Sequence, residues 1–442
     1  MKALMASGAR SRDFLAIPRR CVAAMAIVLV GCSPARSDSA SSPSRYLFVW
    51  AGPHDPGSME GHGTRATGAS DFLAVIDADP ASATYGKVLA SGESGAPGAM
   101  AHHIELTLPA GHPLFTSDYM TGQIFLFDVS QPLAPRVAAR IDSVPGFRQP
   151  HSFARLRNGD VLTAMQFGNG TVAGDPGGIV EFDAGGRFVR ASSAADPAFR
   201  GARIRPNGIE LLPAIDRVVT TSMPMGDERT ADVIQIWRLS DLRLMRTLAV
   251  PVAAGDTGNA FPYDARVLSD GRTAMVDTYY CRLYRVVDLD SDQPRIELVH
   301  TLQNSPREGC AVAAIVGHYW IVPNANGRAV VSLDVTDPAH PVEVSTLHTD
   351  STFFPHWISV DPAGDRIVIN SADDGESRVS IAHLDRHSGR LSWDERFRDT
   401  GSPRRGVLID HAIDHAIDHV NGVGVNTGHV MAHAAVFGPA GR

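Results

Sequence analysis

The chain has 442 residues, with 40 Lys and Arg against 48 Asp and Glu, and is 44% hydrophobic and 20% charged, for a formal net charge of −8. That balance suits one large or two smaller globular domains. It lacks the basic surplus that a nucleic-acid binder needs to neutralise phosphates, so no nucleic-acid partner is expected.

In chain order, Lys2, Arg10, Arg12, Arg19 and Arg20 precede the apolar run Val22 to Val30, the pattern of an export signal. The run is too short to span a bilayer as a helix. It ends Leu29-Val30-Gly31-Cys32, which resembles the bacterial lipobox, whose cysteine is acylated and becomes the mature N-terminus. Residues 1–31 are therefore expected to be a lipoprotein-type signal, Cys32 the lipidation site, and the cell envelope or periplasm the location, with a lipid anchor holding the chain to a membrane. Residues 32–45, rich in Ser, Pro, Ala and Arg, have the composition of a flexible tether. Cys21 and Cys32 lie in these segments, which leaves Cys281 and Cys310 in the body. An oxidising compartment permits a disulfide between them; two inert half-buried thiols, or a thiol near a metal, are the alternatives.

From Tyr46 onward the sequence alternates short strand-like runs with Gly, Pro, Asp and Asn punctuation, as in Tyr46 to Trp50, Phe72 to Ile76, Gln123 to Phe127 and Val233 to Trp237. One unit reads in full as four strands, His151 to Leu156, Val161 to Gln166, Gly178 to Phe182 and Arg187 to Ser192, joined in part by Asn-Gly and Gly-Gly turns. Four antiparallel strands make one propeller blade. The same beginning recurs at His103, His151, Asn207, Tyr263, Cys310, His356 and His433, with five gaps of 46 to 56 residues and a last gap of 77. Seven starts predict an all-β, seven-bladed β-propeller over residues 46–442, with a loop insertion at about 400–428. Tyr46 to Ser91 precedes the first start, and His433 has almost no chain after it. N-terminal strands completing a last blade whose innermost strand is C-terminal would account for both remainders and remove the free edge.

In that architecture the first strand of each blade lines the central channel. His103, His151, His356 and His433 would converge there although distant in sequence, and neutral imidazoles in a cluster suit copper, iron or zinc. His102 competes with His103, because adjacent strand residues face opposite sides. Glu105 shares the face of His103, and Glu210 and Asp264 sit near other blade starts, so these three carboxylates are candidates to orient a ligand or move protons. A satisfied buried acid or a rim charge is the plainer reading of each. His411, His415 and His419 recur every four residues in a short tandem repeat. That spacing would place them on one helix face, and it is equally a repeat expansion in an exposed loop.

The body resembles the selenium-binding protein and methanethiol oxidase family. The resemblance rests on DFLAVIDADPASATYGKV (Asp71 to Val88), the His102-His103 pair, HSFARLRNGDVL (His151 to Leu162), GGIVEFD (Gly177 to Asp183), SLDVTDPAHPV (Ser332 to Val342) and AHAAVFG (Ala432 to Gly438). It implies a seven-bladed propeller and a copper-dependent oxidation of methanethiol by dioxygen and water to formaldehyde, hydrogen sulfide and hydrogen peroxide. His102 or His103, His151 and His433 match histidine motifs of that family, and a small thiol and dioxygen are the expected partners. The Cys-Gly-x-Cys stretch linked with selenium in animal members has no equivalent before Tyr46. A non-catalytic metal- or selenium-binding propeller, and a four-histidine iron oxygenase, are the other readings the pattern admits.

Overall fold

The computed structural model describes residues 42–53, 70–97, 100–225, 229–253, 258–303, 308–371, 376–409 and 430–441. Among them, seven antiparallel sheets of four strands follow one another around a ring, each running from an innermost to an outermost strand. Blade 1 comprises Ala101–Ile104, Leu114–Asp118, Ile124–Asp128 and Arg136–Ile141. Blades 2 to 6 begin at Arg148, Pro206, Pro262, Ala314 and Pro355 and repeat that order, blade 6 gaining a short extra strand, Val407–Leu408. In blade 7 the innermost strand is the C-terminal Val430–Phe437, followed outward by Tyr46–Pro53, Ser70–Asp77 and Val88–Pro97. This is the predicted closure, so the ring has no open edge at the junction of its ends.

The strand sequences follow from this stacking. A blade packs on both faces, so its middle strands are apolar runs without alternation: all of Leu114–Asp118 and nearly all of Ile124–Asp128 are buried. The outermost strand Arg136–Ile141 alternates exposed and half-buried residues, as a strand with one wet face does. The apolar core accordingly divides into seven layers, one at each interface between neighbouring blades. Phe115, Leu126, Val161 and Val180 fill the layer between blades 1 and 2, and Met275, Leu283, Trp320 and Leu333 that between blades 4 and 5.

The closing blade is held by more than its ladder. Trp50 is fully buried, lies 5.4 Å edge-on from Phe127 of blade 1, and donates its Nε1–H to the Ser117 carbonyl at 2.9 Å. Ser42–Ser44 pairs with Ala440–Gly441, so the folded body reaches N-terminally to Ser42, beyond the Tyr46 expected from the sequence. Ser44 Oγ reaches the Gly438 carbonyl at 2.7 Å and Asp361 Oδ1 at 2.9 Å. Asp361 also holds Arg366 in an ion pair whose side chains are 0% and 2% exposed, and Arg366 donates to the carbonyls of Ala78 (2.7 Å) and Ser44 (3.0 Å). One buried pair of blade 6 thus ties down both ends of the chain. Between blades 4 and 5, Cys281 and Cys310 form a disulfide with Cα atoms 5.2 Å apart, which decides among the three readings of these cysteines.

Removing the guanidinium from this network strands a buried carboxylate. Arg366→Ala is expected to cost about 3–5 kcal/mol in urea unfolding. The exposed Arg272, paired with Asp290, should cost at most about 1 kcal/mol on the same change.

Candidate metal centre

The innermost strands share a defect at one position. In blade 1, Ala101 pairs with Asp118 and Ile104 with Thr116, so His102 and His103 together face the single residue Ser117. The same two-against-one bulge sets His151 and Ser152 against Ala164, Asn207 and Gly208 against Thr221, and Tyr263 and Asp264 against Asp277. His356 and His433 are single unpaired residues at the matching point of blades 6 and 7. A bulge bends the strand and re-aims its side chains. It therefore cancels the alternation that made His102 and His103 competitors: both rings turn to the channel, stacked at 4.5 Å. The register also corrects two blade starts. His102, not His103, is the equivalent of His151, and in blade 5, where Cys310 pairs with Asn324 as Pro262 does with Thr278, the equivalent is Ala311, not Cys310. Val312 bridges Trp357 and donates its N–H to the His356 carbonyl at 3.1 Å.

Freed bulge amides need acceptors, since an unpaired buried N–H is costly. The residue opposite supplies them: Ser117 Oγ accepts from His103 N–H at 3.1 Å, Thr221 Oγ1 from Gly208 N–H at 2.8 Å, and Asp277 Oδ1 from Asp264 N–H at 2.9 Å. Ser117 and Thr221 hydroxyls donate onward to the next blade's His151 and Tyr263 carbonyls. These capping residues were not anticipated from the sequence. A usable signal was the proline before the bulge in four blades, Pro150, Pro206, Pro262 and Pro355. In blades 3 and 4 the residue opposite, Thr221 or Asp277, is the polar cap.

The structure brings all five predicted histidines together. Ring centroids lie 4.0 Å apart for His103 and His151, 4.3 Å for His102 and His433, 4.8 Å for His102 and His151, and 4.9 Å for His356 and His433. His102, His103 and His433 each present a nitrogen within 4.8 Å of the others. Both ring nitrogens of His102, and Nε2 of His103, His151 and His356, are buried without a hydrogen-bond partner. His151 Nδ1 lies 3.1 Å from the Asn207 carbonyl, which can only accept, so Nδ1 carries the proton and Nε2 keeps its lone pair free. Ser152 Oγ is 3.0 Å from Nδ1 of both His151 and His103 and couples the two rings.

Burial, reinforced by neighbouring imidazoles, holds His102 and His103 well below the ordinary histidine range. Burial lowers His151 to about 3, against the opposing pull of the Asn207 carbonyl, and His356 to about 4. These imidazoles are neutral at physiological pH. Neutral rings with idle, buried lone pairs on one axis are what a late first-row transition metal requires of its ligands.

The three candidate carboxylates differ. Glu105 accepts from Arg155 Nε and Nη2, both at 2.7 Å, and from Phe115 N–H at 3.0 Å, so both oxygens are committed to a clamp between blades 1 and 2. Asp264 is bound by Arg266 at 2.6 and 2.7 Å and adjoins Asp277. Burial, then the Asp264 charge, raise Asp277 well above the carboxylate range, so Asp277 holds the proton and Asp264 the charge. Glu210 is pushed up to about 7 by burial, opposed by Arg266, whose Nη1 is 4.0 Å away. It faces an axial cavity of about 380 Å3 and has the acid–base range for proton transfer at neutral pH. Cys32, His411, His415 and His419 lie outside the described residues.

No family model and no curated protein sequence matches the chain. Solved structures do. A hypothetical selenium-binding protein from Sulfolobus tokodaii superposes with a TM-score of 0.67 at 14% identity, covering 90% of this chain and 94% of that one. A protein from Lactobacillus plantarum gives 0.56 at 14%, over 82% and 98%. The periplasmic gluconolactonase of Pseudomonas aeruginosa gives 0.53 at 13%, over 78% and 94%. These likenesses show the propeller fold. At such identities the fold hosts unrelated chemistries, and the site must speak for itself.

The depressed histidines have a signature in stability. Between pH 6.5 and about 3 the unfolded chain protonates His151 and the folded chain does not, so this group's contribution to stability falls as pH falls through that window. Glu210 and Asp277, raised in the fold, act in the opposite direction and are common to both proteins in a paired comparison. Metal-free wild type is expected to lose more stability than His151→Gln between pH 7 and pH 4.5, read from urea midpoints.

Proposed function

We propose that the chain is an exported, lipid-anchored propeller that holds copper on its channel histidines and oxidises a small thiol. The reaction is methanethiol plus dioxygen plus water to formaldehyde, hydrogen sulfide and hydrogen peroxide. The carrying observation is the set of five converging histidines, four of them buried and His356 half-buried, with idle buried nitrogens on at least four of the five. An unmet buried polar atom costs about 1–3 kcal/mol, and a shared cation is the economical way to meet several at once. The family resemblance of the sequence motifs favours copper; imidazole donors also suit iron and zinc. A disulfide in the body supports an oxidising compartment, in keeping with the Cys32 lipobox.

When bound, copper would supply electron transfer to dioxygen and acidify a coordinated thiol. The chain's own residues do the rest. His151 is fixed in tautomer by Asn207, and His103 is aligned with it through Ser152. Trp357 packs edge-on against His103 at 5.1 Å and excludes water from that side. Glu210 takes up and returns protons from the cavity, with Arg266 and Asp264 between it and the histidines.

Elemental analysis of purified protein is expected to find copper that is lost in His151→Ala and His433→Ala; unchanged metal in both variants overturns the site. Ser152→Ala should keep the fold and weaken copper binding about 10–100-fold, as loss of a ligand-orienting partner does. Peroxide and sulfide should appear from methanethiol with the loaded protein. Their absence at full copper loading would favour a non-catalytic metal-binding module. For the anchor, Cys32→Ser is expected to abolish fatty-acid incorporation and move the protein out of the membrane fraction.

A further inference from the structure

The channel is not equally open along its length. The cavity of about 380 Å3 is lined by the C-terminal halves of the innermost strands, with Thr107 exposed and Leu106, Leu211, Ile315 and Val360 half-buried. Those strand halves lead into the turns that join first to second strands, such as Arg157 to Asp160 and Asp361 to Asp365, so this is the short-turn mouth. Inward, the same Leu106, Phe153 and Ile209 also line a second, smaller space of about 10 Å3, whose other walls include His103, Ser152, Trp357 and the ion-paired Asp264 and Arg266. The two spaces share walls, and exposure falls along them from Thr107 to Phe153 (4% exposed) and Ile209 (4% exposed).

From this gradient we infer that small molecules reach the histidine cluster from the short-turn mouth, through an apolar neck formed by Leu106, Phe153 and Ile209. The neck selects by size and polarity. A space of about 10 Å3 holds roughly one water-sized body, so anything larger passes only as side chains part, and small slim molecules are favoured over bulky ones. Its apolar walls give a charged solute no compensation for lost hydration, and the two charges that also line it, Asp264 and Arg266, are committed to each other at 2.6 Å. The arginines of the outer cavity do not attract anions, because Arg155 is neutralised by Glu105 and Arg266 by Asp264. The class favoured is therefore small neutral molecules, a one-carbon thiol and dioxygen among them, over bulky or ionised ones. What such a molecule meets at the inner end rests on the copper reading; the route itself does not.

The test needs no metal. Ser152→Cys places a thiol at the inner end of the neck, and its labelling by the small neutral reagent methyl methanethiosulfonate is followed by peptide-resolved mass spectrometry on the full-length, metal-free chain. The disulfide-bonded Cys281 and Cys310 are silent, and any signal from Cys21 or Cys32 is separated by peptide. Labelling is expected, and it should slow at least tenfold when either Leu106→Trp or Ile209→Trp is added to fill the neck from one of two walls. Leu106 is half-buried and tolerates the larger ring if Ile209→Trp does not fold, as judged by circular dichroism. A bulky charged methanethiosulfonate should fail to label in every background. Unchanged labelling in a folded neck variant, or equal labelling by the bulky charged reagent, overturns the route. A chain that binds no copper would sink the proposed reaction and leave this result standing.

Discussion

Burial between neighbouring blades is the interaction on which everything else depends. A single blade is a twisted sheet with two apolar faces, and it cannot cover either one alone. Trp50 against Phe125 and Phe127, or Met275 against Trp320, becomes a core only when the next blade is in place. Seven such layers require a closed ring, and a closed ring requires the two chain ends to share one blade. The buried Asp361–Arg366 pair with Ser44, and the Trp50 indole bonded to Ser117, are the local means by which that junction is held.

Closure also creates the site. Each innermost strand faces a narrow axis, where an ordinary pleat would send successive side chains alternately into the channel and into the blade layers. The bulge alters this at one height of the ring, delivering paired residues such as His102 and His103 to the same side. The extra backbone amides are satisfied by Ser117, Thr221 and Asp277, so the distortion is built into the second strand as well. Packing then excludes water, and exclusion is what keeps the imidazoles neutral and their nitrogens idle. Stability and ligand readiness therefore oppose each other here: the buried, unmet nitrogens weaken the metal-free fold and prepare it for a cation.

Much of this was legible in the chain. The recurrence of strand–turn–strand units, the asymmetry of its two ends and the roughly fifty-residue spacing led to seven blades and to their mode of closure, because strand periodicity and turn chemistry are local properties. The five histidines were legible for the same reason, as residues at matching phase in a repeat. Less legible was which of His102 and His103 belonged to the cluster. Alternation argues for one, and only the register with Leu114–Asp118 shows that both do. Cys310 was misplaced as a blade start because its spacing fitted, whereas its partner is Cys281 and the matching position is Ala311. The roles of Glu105, Glu210 and Asp264 were not legible, since an acid's function follows from the base beside it. Arg155 and Arg266 lie on the neighbouring or same strand without any motif to mark them.

By itself, then, the sequence determined the repeat, the ring and the residues at one height of it, since each is encoded within a span of a few residues and copied along the chain. Tertiary structure alone decided convergence, charge state and access. His102 and His433 are 331 positions apart and meet at 4.3 Å only because the ring closes. The neutrality of His102 is a consequence of lost water. The apolar neck exists because Leu106, Phe153 and Ile209 come from three different blades. Distances, desolvation and cavities belong to the assembled ring, and no stretch of chain carries them in advance.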